Sequence, residues 1–381
     1  MKICAIICEY NPFHNGHLYQ LQTARELSGA DAVLCIMSGN FVQRGDSAIM
    51  DKYTRAKHAV MAGADIVIEL PTLFATSNAE LFARGAIHIL SSIPAVKTLC
   101  FGAENADKLA FYSAGRYLLN EPQEVSTLIK QAMDTGISYA KARTQAFAGF
   151  IPLDLLQSPN NILGLEYTKA ILAKNTDIDI LPIQRKGCAY SDNDLQDNFS
   201  SASALRYAIQ NGQDLGNNTP NFVLPDLPSA IDCNLEKLEK YALLAKSASE
   251  IAKVCDCTEG LENALKRVAT SNQPLVKTLT SSRYTASRIR RIALQNLLNI
   301  TQELIGECLQ APLYLRALGA NKARSDILSA LSENPFPVLA RAHDDNHLSP
   351  TAKKCLEIDT FAESVYNLLY PQVKQEKNIF I

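Results

Sequence analysis

The chain has 381 residues, 47% of them hydrophobic and 20% charged, with a formal net charge of −2 at pH 7. That is the make-up of a globular protein long enough for two cores, and no apolar run approaches the roughly 20 residues that cross a bilayer, so no membrane partner is expected. Ten cysteines without a CxxC pair read as reduced, mostly buried thiols of a cytoplasmic protein, which argues against a disulfide framework and against a zinc site.

Residues 2–9 form an apolar first strand, and nothing about them has the architecture of a signal peptide: Lys2 is followed by a short strand, then by Glu9 and Pro12. The strand runs into Ile7-Cys8-Glu9-Tyr10-Asn11-Pro12-Phe13-His14-Asn15-Gly16-His17, and residues 18–27 continue as a helix. His14 then sits at the turn and His17 in the first helical turn, where free N–H groups and the positive end of the helix dipole suit a phosphate. Two imidazoles add donors for the same oxygens, and Gly16 is expected to let a base or ribose approach the backbone. Such a place suits attack at the α-phosphate of a nucleoside triphosphate, where growing charge must meet fixed donors.

Further along, residues 31–38, 65–70, 96–101 and 178–183 read as strands, and residues 52–61, 77–90, 162–174 and 202–210 as helices. That alternation predicts an α/β fold with a doubly wound, Rossmann-like parallel sheet, its ligands at the carboxyl ends of the strands. The second strand is followed there by Gly39-Asn40-Phe41-Val42-Gln43-Arg44-Gly45, in which Arg44 is a phosphate candidate. Gly102 ends the fourth strand. Asn160 and Asn161 stand before a helix, either as caps or as readers of a base edge. Arg185 and Lys186 leave the fifth strand, and Ser203 and Arg206 lie in a helix start suited to pyrophosphate. A run rich in Gly, Pro and Asn at 211–228 marks the domain boundary, giving a nucleotide-binding unit at 1–215 and a mostly helical unit at 228–381.

The second unit holds the positive charge: residues 263–302 contain no acid, while Arg283, Arg288, Arg290 and Arg291 cluster around a helix predicted at 285–300. With no acid nearby, these four are the candidate contacts to nucleic-acid phosphates. His343 and His347 bracket two aspartates, but without a helix or cysteine partners they read as a polar loop, and no metal ligands are assigned.

The segments EYNPFHNGHLYQ, SGNFVQRG, KHAVMAGADIVIELP, FGAE, SPNNILGLEY and RYTASRIRR together resemble the tRNA(Met) cytidine acetate ligase family, within the HIGH-motif nucleotidyltransferase superfamily. The resemblance spans both units. It implies an enzyme that makes acetyl-adenylate and pyrophosphate from acetate and ATP, then passes the acetyl group to N4 of the wobble cytidine of elongator tRNA(Met), leaving AMP. It also implies an ATP site made of residues 7–20, that is Ile7 to His17 with Leu18, Tyr19 and Gln20, completed by Gly102, Asn161 and Arg185, with Asn160 and Lys186 as the adjacent alternatives. His14 and His17 would be catalytic. Mg²⁺ is expected on the triphosphate, held largely by phosphate oxygens and water. Acetate and tRNA are the partners implied, with no obligate protein partner evident. Two other functions fit parts of the chain: an adenylyltransferase for a small phosphorylated metabolite, and a non-catalytic RNA-binding protein. The acid-free basic segment argues against the first, the intact HNGH against the second.

Overall fold

The computed structural model describes residues 1–120, 122–186, 195, 198–228, 234–340, 344–371 and 379–380. Its centre is a parallel sheet of β1 (Ile3–Cys8), β2 (Ala32–Ser38), β3 (Ile66–Leu70), β4 (Val96–Ala103) and β5 (Asp179–Gln184). Strands β5, β4, β1, β2 and β3 lie side by side in that order. The order reverses at β1, so the crevice at the carboxyl ends of β1 and β4 is the expected ligand position.

The central strands β1, β2 and β3 are buried almost throughout because both faces are covered. Ile3 and Ala5 of β1 and Leu34 and Ile36 of β2 belong to one core layer, while Cys4, Ile6, Val33 and Cys35 belong to the other. Helices α1 (Asn15–Ser28) and α2 (Lys52–Met61) follow β1 and β2. Helix α3 (Ala79–Leu90) precedes β4, α4 (Pro159–Lys174) precedes β5, and α5 (Ala202–Gln210) follows it.

The residues 211–228 are not a free linker. Asn218 and Val223 are buried, the Asn218 side chain accepts from the Ser200 N–H at 2.8 Å, and Phe222 packs on Phe13 with ring centres 6.2 Å apart. The run lies against the first unit, because its few large side chains have a groove to fill there.

The second unit is helical where α6 (Leu235–Ala245), α7 (Leu261–Ala269), α8 (Leu275–Leu279) and α9 (Ala286–Leu297) gather around Leu243, Ile251, Leu265, Ile289 and Ile292. The chain then returns to the sheet, contrary to the reading of residues 228–381 as a separate helical body. Strand β6 (Leu315–Ala320) pairs antiparallel with β3, and β7 (Val338–Leu339) and β8 (Ile379–Phe380) pair with β6.

Charges lock that return. The buried Lys52 ammonium lies 2.8 Å from Glu69 and 3.1 Å from Glu363 of α10 (Pro350–Leu369), and Arg316 of β6 reaches the same two carboxylates at 3.2 and 3.1 Å. Beside them Asp359 accepts from the Thr72 N–H at 2.7 Å and the Tyr314 hydroxyl at 2.5 Å. Among the described residues no helix is long and apolar enough to cross a membrane.

Candidate active site

A cleft of about 1000 Å³ opens at the carboxyl ends of β1 and β4. One wall carries His14, His17, Gly102 and Arg185; the other carries residues of α6 and α9. The volume is at the upper end of small-ligand sites.

The two histidines are built into the helix start. His14 is the N-cap of α1: its Nδ1 accepts the Gly16 N–H at 3.0 Å, while His17 Nδ1 accepts the N–H of His14 at 3.3 Å. The rings stack with centres 3.7 Å apart. A ring nitrogen that accepts carries no proton, so each neutral imidazole keeps its proton on Nε2. Both stay neutral, since burial pushes His14 down to about 3, with Arg185 and Arg206 adding to the effect, and burial with the neighbouring His14 ring lowers His17 well below the usual range. The pair therefore offers two oriented N–H donors without charge. Charge comes instead from Arg185, Arg206 and Arg44, all on the cleft.

Gly16 has a reason within the chain itself. A Cβ there would lie 2.8 Å from Cε1 of His14, so the missing side chain makes room for the His14 ring. Gly102 likewise leaves space for the stem of Arg185, whose Cγ would be 3.3 Å from an added Cβ. Gly45, at φ +81°, backs onto α9, where a Cβ would lie 2.5 Å from the Arg291 nitrogen. One end of the glycine-bounded loop is thus docked on the helical unit, with Arg44 left on the cleft wall.

Within residues 7–20, the cleft is lined by Ile7, Cys8, Glu9, Tyr10, Asn11, His14, His17 and Gln20, and a smaller adjoining pocket adds Gly16 and Tyr19. Pro12, Phe13, Asn15 and Leu18 face neither space. Phe13 is fully buried, Leu18 packs on the same core, and Asn15 donates to the carbonyls of Asn198 and Asn217 at 3.1 and 2.5 Å. These four support the turn from behind.

The structure places the two residues of each pair differently. Asn160 lines the cleft and donates to Glu104 at 2.6 Å. Asn161 is fully buried: its Oδ1 accepts from the N–H groups of Glu104 and Asn105 at 2.9 and 3.3 Å, and its Nδ2 donates to the Asp154 carbonyl at 3.1 Å. It ties down the turn after Gly102. Arg185 lines both spaces, whereas Lys186 touches only the smaller one and lies 4.1 Å from the centre of the Tyr19 ring. Arg206 lines the cleft, donating to the Asn11 carbonyl at 2.7 Å and to Ser203 at 3.2 Å. Ser203 is outside the cleft lining; Ser201, the N-cap of α5, is within it.

The four arginines of the second unit are not without acids nearby, as their sequence neighbourhood implied. Arg283 pairs with Glu259 at 2.9 Å, Arg290 with Asp46 at 3.3 Å, and Arg291 reaches Asp256 at 3.7 Å. Arg288 donates to the Asp256 carbonyl at 2.9 and 2.7 Å and to Thr258 at 3.0 Å. The acids come from a loop before the basic run and from the first unit, so only the fold brings them in. Arg288 and Arg291 hold structure together. Arg283 and Arg290 remain partly exposed, and Arg290 and Arg291 line the cleft.

Sequence reasoning passed over Glu239, Asp46 and Tyr167, which all line this space. His347 lies in a short 3-10 turn with Asp344 and Asp345, while His343 is outside the described residues. Among the described residues no three His, Cys, Asp or Glu side chains gather as a metal site.

This strand–turn–helix histidine pair stands at the reversal point of a parallel sheet, with arginines around a nucleotide-sized cleft. The HIGH nucleotidyl transferase family matches residues 1–379. A tRNA(Met) cytidine acetate ligase of Thermoanaerobacter sp. (strain X514) is 38% identical over 387 residues, taking in 97% of this chain and 96% of the relative. One from Clostridium perfringens (strain SM101 / Type A) is 35% identical, covering 100% of this chain and 98% of its own length. The chain belongs to the tRNA(Met) cytidine acetate ligase family. Its fold superposes on the crystal structure of apo Thermotoga maritima TmcAL with a TM-score of 0.91 at 29% identity, each chain covered in full. TmcAL bound with alpha-thio ATP matches with a TM-score of 0.87 at 27% identity, again over 100% of both chains.

Proposed function

We propose that this chain is an ATP-dependent acetate ligase that converts acetate and ATP to acetyl-adenylate and pyrophosphate, then acetylates N4 of the wobble cytidine of elongator tRNA(Met). The observation that carries the first step is the stacked pair His14 and His17, each with Nδ1 occupied by a backbone N–H. Their Nε2–H groups are fixed before substrate arrives, so no reorganisation is needed as charge builds on the α-phosphate oxygens. Arg185 and Arg206 supply the positive charge for the triphosphate, and Asn160 and Gly102 complete the nucleotide wall. Acetate oxygen attacks the α-phosphorus, the bond to the β-phosphate oxygen breaks, and pyrophosphate leaves. Acetate becomes reactive because AMP is then a good leaving group. The amine N4 attacks the carbonyl carbon, the bond from that carbon to the AMP oxygen breaks, and one N4 proton is released.

Mg²⁺ would enter with the triphosphate, held chiefly by phosphate oxygens and water. Glu9 and Asp46 are carboxylates on the cleft with which it could share water. Arg283 and Arg290 are the arginines best placed to meet tRNA phosphates.

Acetate-dependent exchange of labelled pyrophosphate into ATP tests the first step, and tRNA-dependent appearance of N4-acetylcytidine tests the second. Exchange without any tRNA product would turn the reading toward a small-molecule adenylyltransferase; neither activity would turn it toward a binding protein.

A further inference from the structure

The far wall of the cleft contains a carboxyl group with nothing to bond. Glu239, in the second turn of α6, is 5% exposed, lines the cleft, and makes no hydrogen bond or ion pair among the described residues. The charged groups around it are Glu236, one turn back on the same helix, Asp46 from the first unit, and Arg290 from α9. Glu236 is engaged with the Leu275 N–H at 3.1 Å and Lys240 at 3.4 Å, and Arg290 with Asp46 at 3.3 Å. A buried polar group without a partner is costly, and a fold that keeps one on the wall of a cleft leaves it for a ligand.

The chemistry of that ligand follows from the position. The opposite wall holds the donors and cations for the nucleotide, and a carboxylate there would repel a phosphate. The group facing Glu239 must therefore donate hydrogen bonds, and Leu235 and Val276 beside it on the same wall offer apolar surface to a flat ring. We propose that Glu239 receives the Watson–Crick edge of the cytosine to be acetylated, one carboxyl oxygen accepting from the exocyclic N4 amine and the other facing N3. This rests on the acetyl-transfer reading given above. Burial, with Asp46 and Glu236 adding to it against the pull of Arg290, raises this carboxyl well above the usual range, which favours the neutral acid. The neutral acid matches cytosine: its O–H donates to N3 while its carbonyl oxygen accepts from N4. Held in this way, N4 lies on the lobe side of the cleft and faces the acetyl-adenylate on the histidine side.

The test is a pair of variants in the full-length enzyme, each measured for acetate-dependent pyrophosphate exchange and for acetylation of a tRNA(Met) transcript. Glu239→Ala should lower kcat/KM for tRNA by on the order of 10- to 100-fold, the value of a paired base edge. Glu239→Gln keeps one donor and one acceptor in the same places and should restore most of the transfer. Its rate should also be flat with pH, whereas the wild-type transfer step falls as the acid ionises at higher pH. Pyrophosphate exchange reports separately on folding and on the nucleotide site, so its absence in the wild type would refute the acetate-ligase reading, not this assignment. Full transfer by the alanine variant, or loss in the glutamine variant as deep as in alanine with exchange intact, would overturn the pairing.

Discussion

The two walls of the cleft are built on opposite terms. On the sheet side the side chains are held in place by bonds of their own: His14 and His17 cap the helix, Asn161 holds the turn after Gly102, and Arg206 leans on the Asn11 carbonyl. On the lobe side Glu239 waits without a bond, and the arginines are tethered to acids at the rim. A wall that meets the same triphosphate in every turnover gains from being fixed beforehand, since its donors then cost no reordering. A wall that must admit one base of a large RNA keeps a group whose partner arrives with the substrate.

The hardest blow to this contrast falls on the histidines. His14→Ala or His17→Ala removes a preset donor at the α-phosphate and should slow pyrophosphate exchange by roughly 10²- to 10³-fold. tRNA affinity should hardly change. Exchange at the wild-type rate in both variants would place the chemistry elsewhere in the cleft.

Arg185→Ala comes next. Loss of one charged hydrogen bond to a phosphate should weaken ATP binding by roughly 10- to 100-fold, while tRNA binding stays close to normal. Asn161→Ala, by contrast, should act through stability, because its side chain holds backbone rather than ligand. Nucleotide titration and thermal unfolding of both variants separate the two roles. A stable Asn161→Ala protein with impaired ATP binding would return that residue to the nucleotide.

The neutral histidines also make a prediction about pH. His14 is held down to about 3, so the folded state takes up its proton far later than an unfolded chain, whose histidine titrates near 6.5. The unfolded state therefore binds more protons between those values. The contribution of His14 to stability is complete above the unfolded pKa and is lost progressively as pH falls from about 6.5 toward 3. Denaturant unfolding at stepped pH should show a shallower acid loss in His14→Asn than in the wild type. Equal slopes would mean that this ring is not held neutral by the fold.

How far this site could be read from the chain depends on how local each signal is. Strands β1, β2 and β3 announce themselves as short apolar runs because both faces are buried, and His14-Asn15-Gly16-His17 sits in consecutive residues. Strand β6 does not, since Leu-Arg-Ala-Leu-Gly-Ala takes strand form through pairing with β3, some 250 residues earlier in the chain. Glu239 was hidden for a similar reason. In the run Leu235-Glu236-Lys237-Leu238-Glu239-Lys240 it reads as one more solvated charge of an amphipathic helix, and only the fold shows it buried on the cleft wall. Gly16 was legible as a place of close approach, but the His14 ring that needs its space shows only in three dimensions.

The smallest effect concerns the rim of the lobe wall, where the basic run was expected to hold RNA with four arginines. Arg288 grips the Asp256 carbonyl and Arg291 is largely buried beside the same residue, so neither can reach a phosphate without giving up a bond. Arg283 and Arg290 are paired through one carboxylate each and remain partly exposed, and an exposed pair of that kind is weak enough to exchange its acid for a phosphate. Replacing Arg283 and Arg290 with alanine should therefore reduce the salt dependence of tRNA binding by roughly one unit of slope for each phosphate no longer neutralised. Replacing Arg288 and Arg291 should instead lower the unfolding temperature and leave the slope alone. Binding isotherms at several salt concentrations, read beside melting curves for the two double variants, decide between these roles. If the slope changes only with Arg288 and Arg291, the rim meets RNA by breaking its own interior bonds, and the lobe wall must open before tRNA can bind.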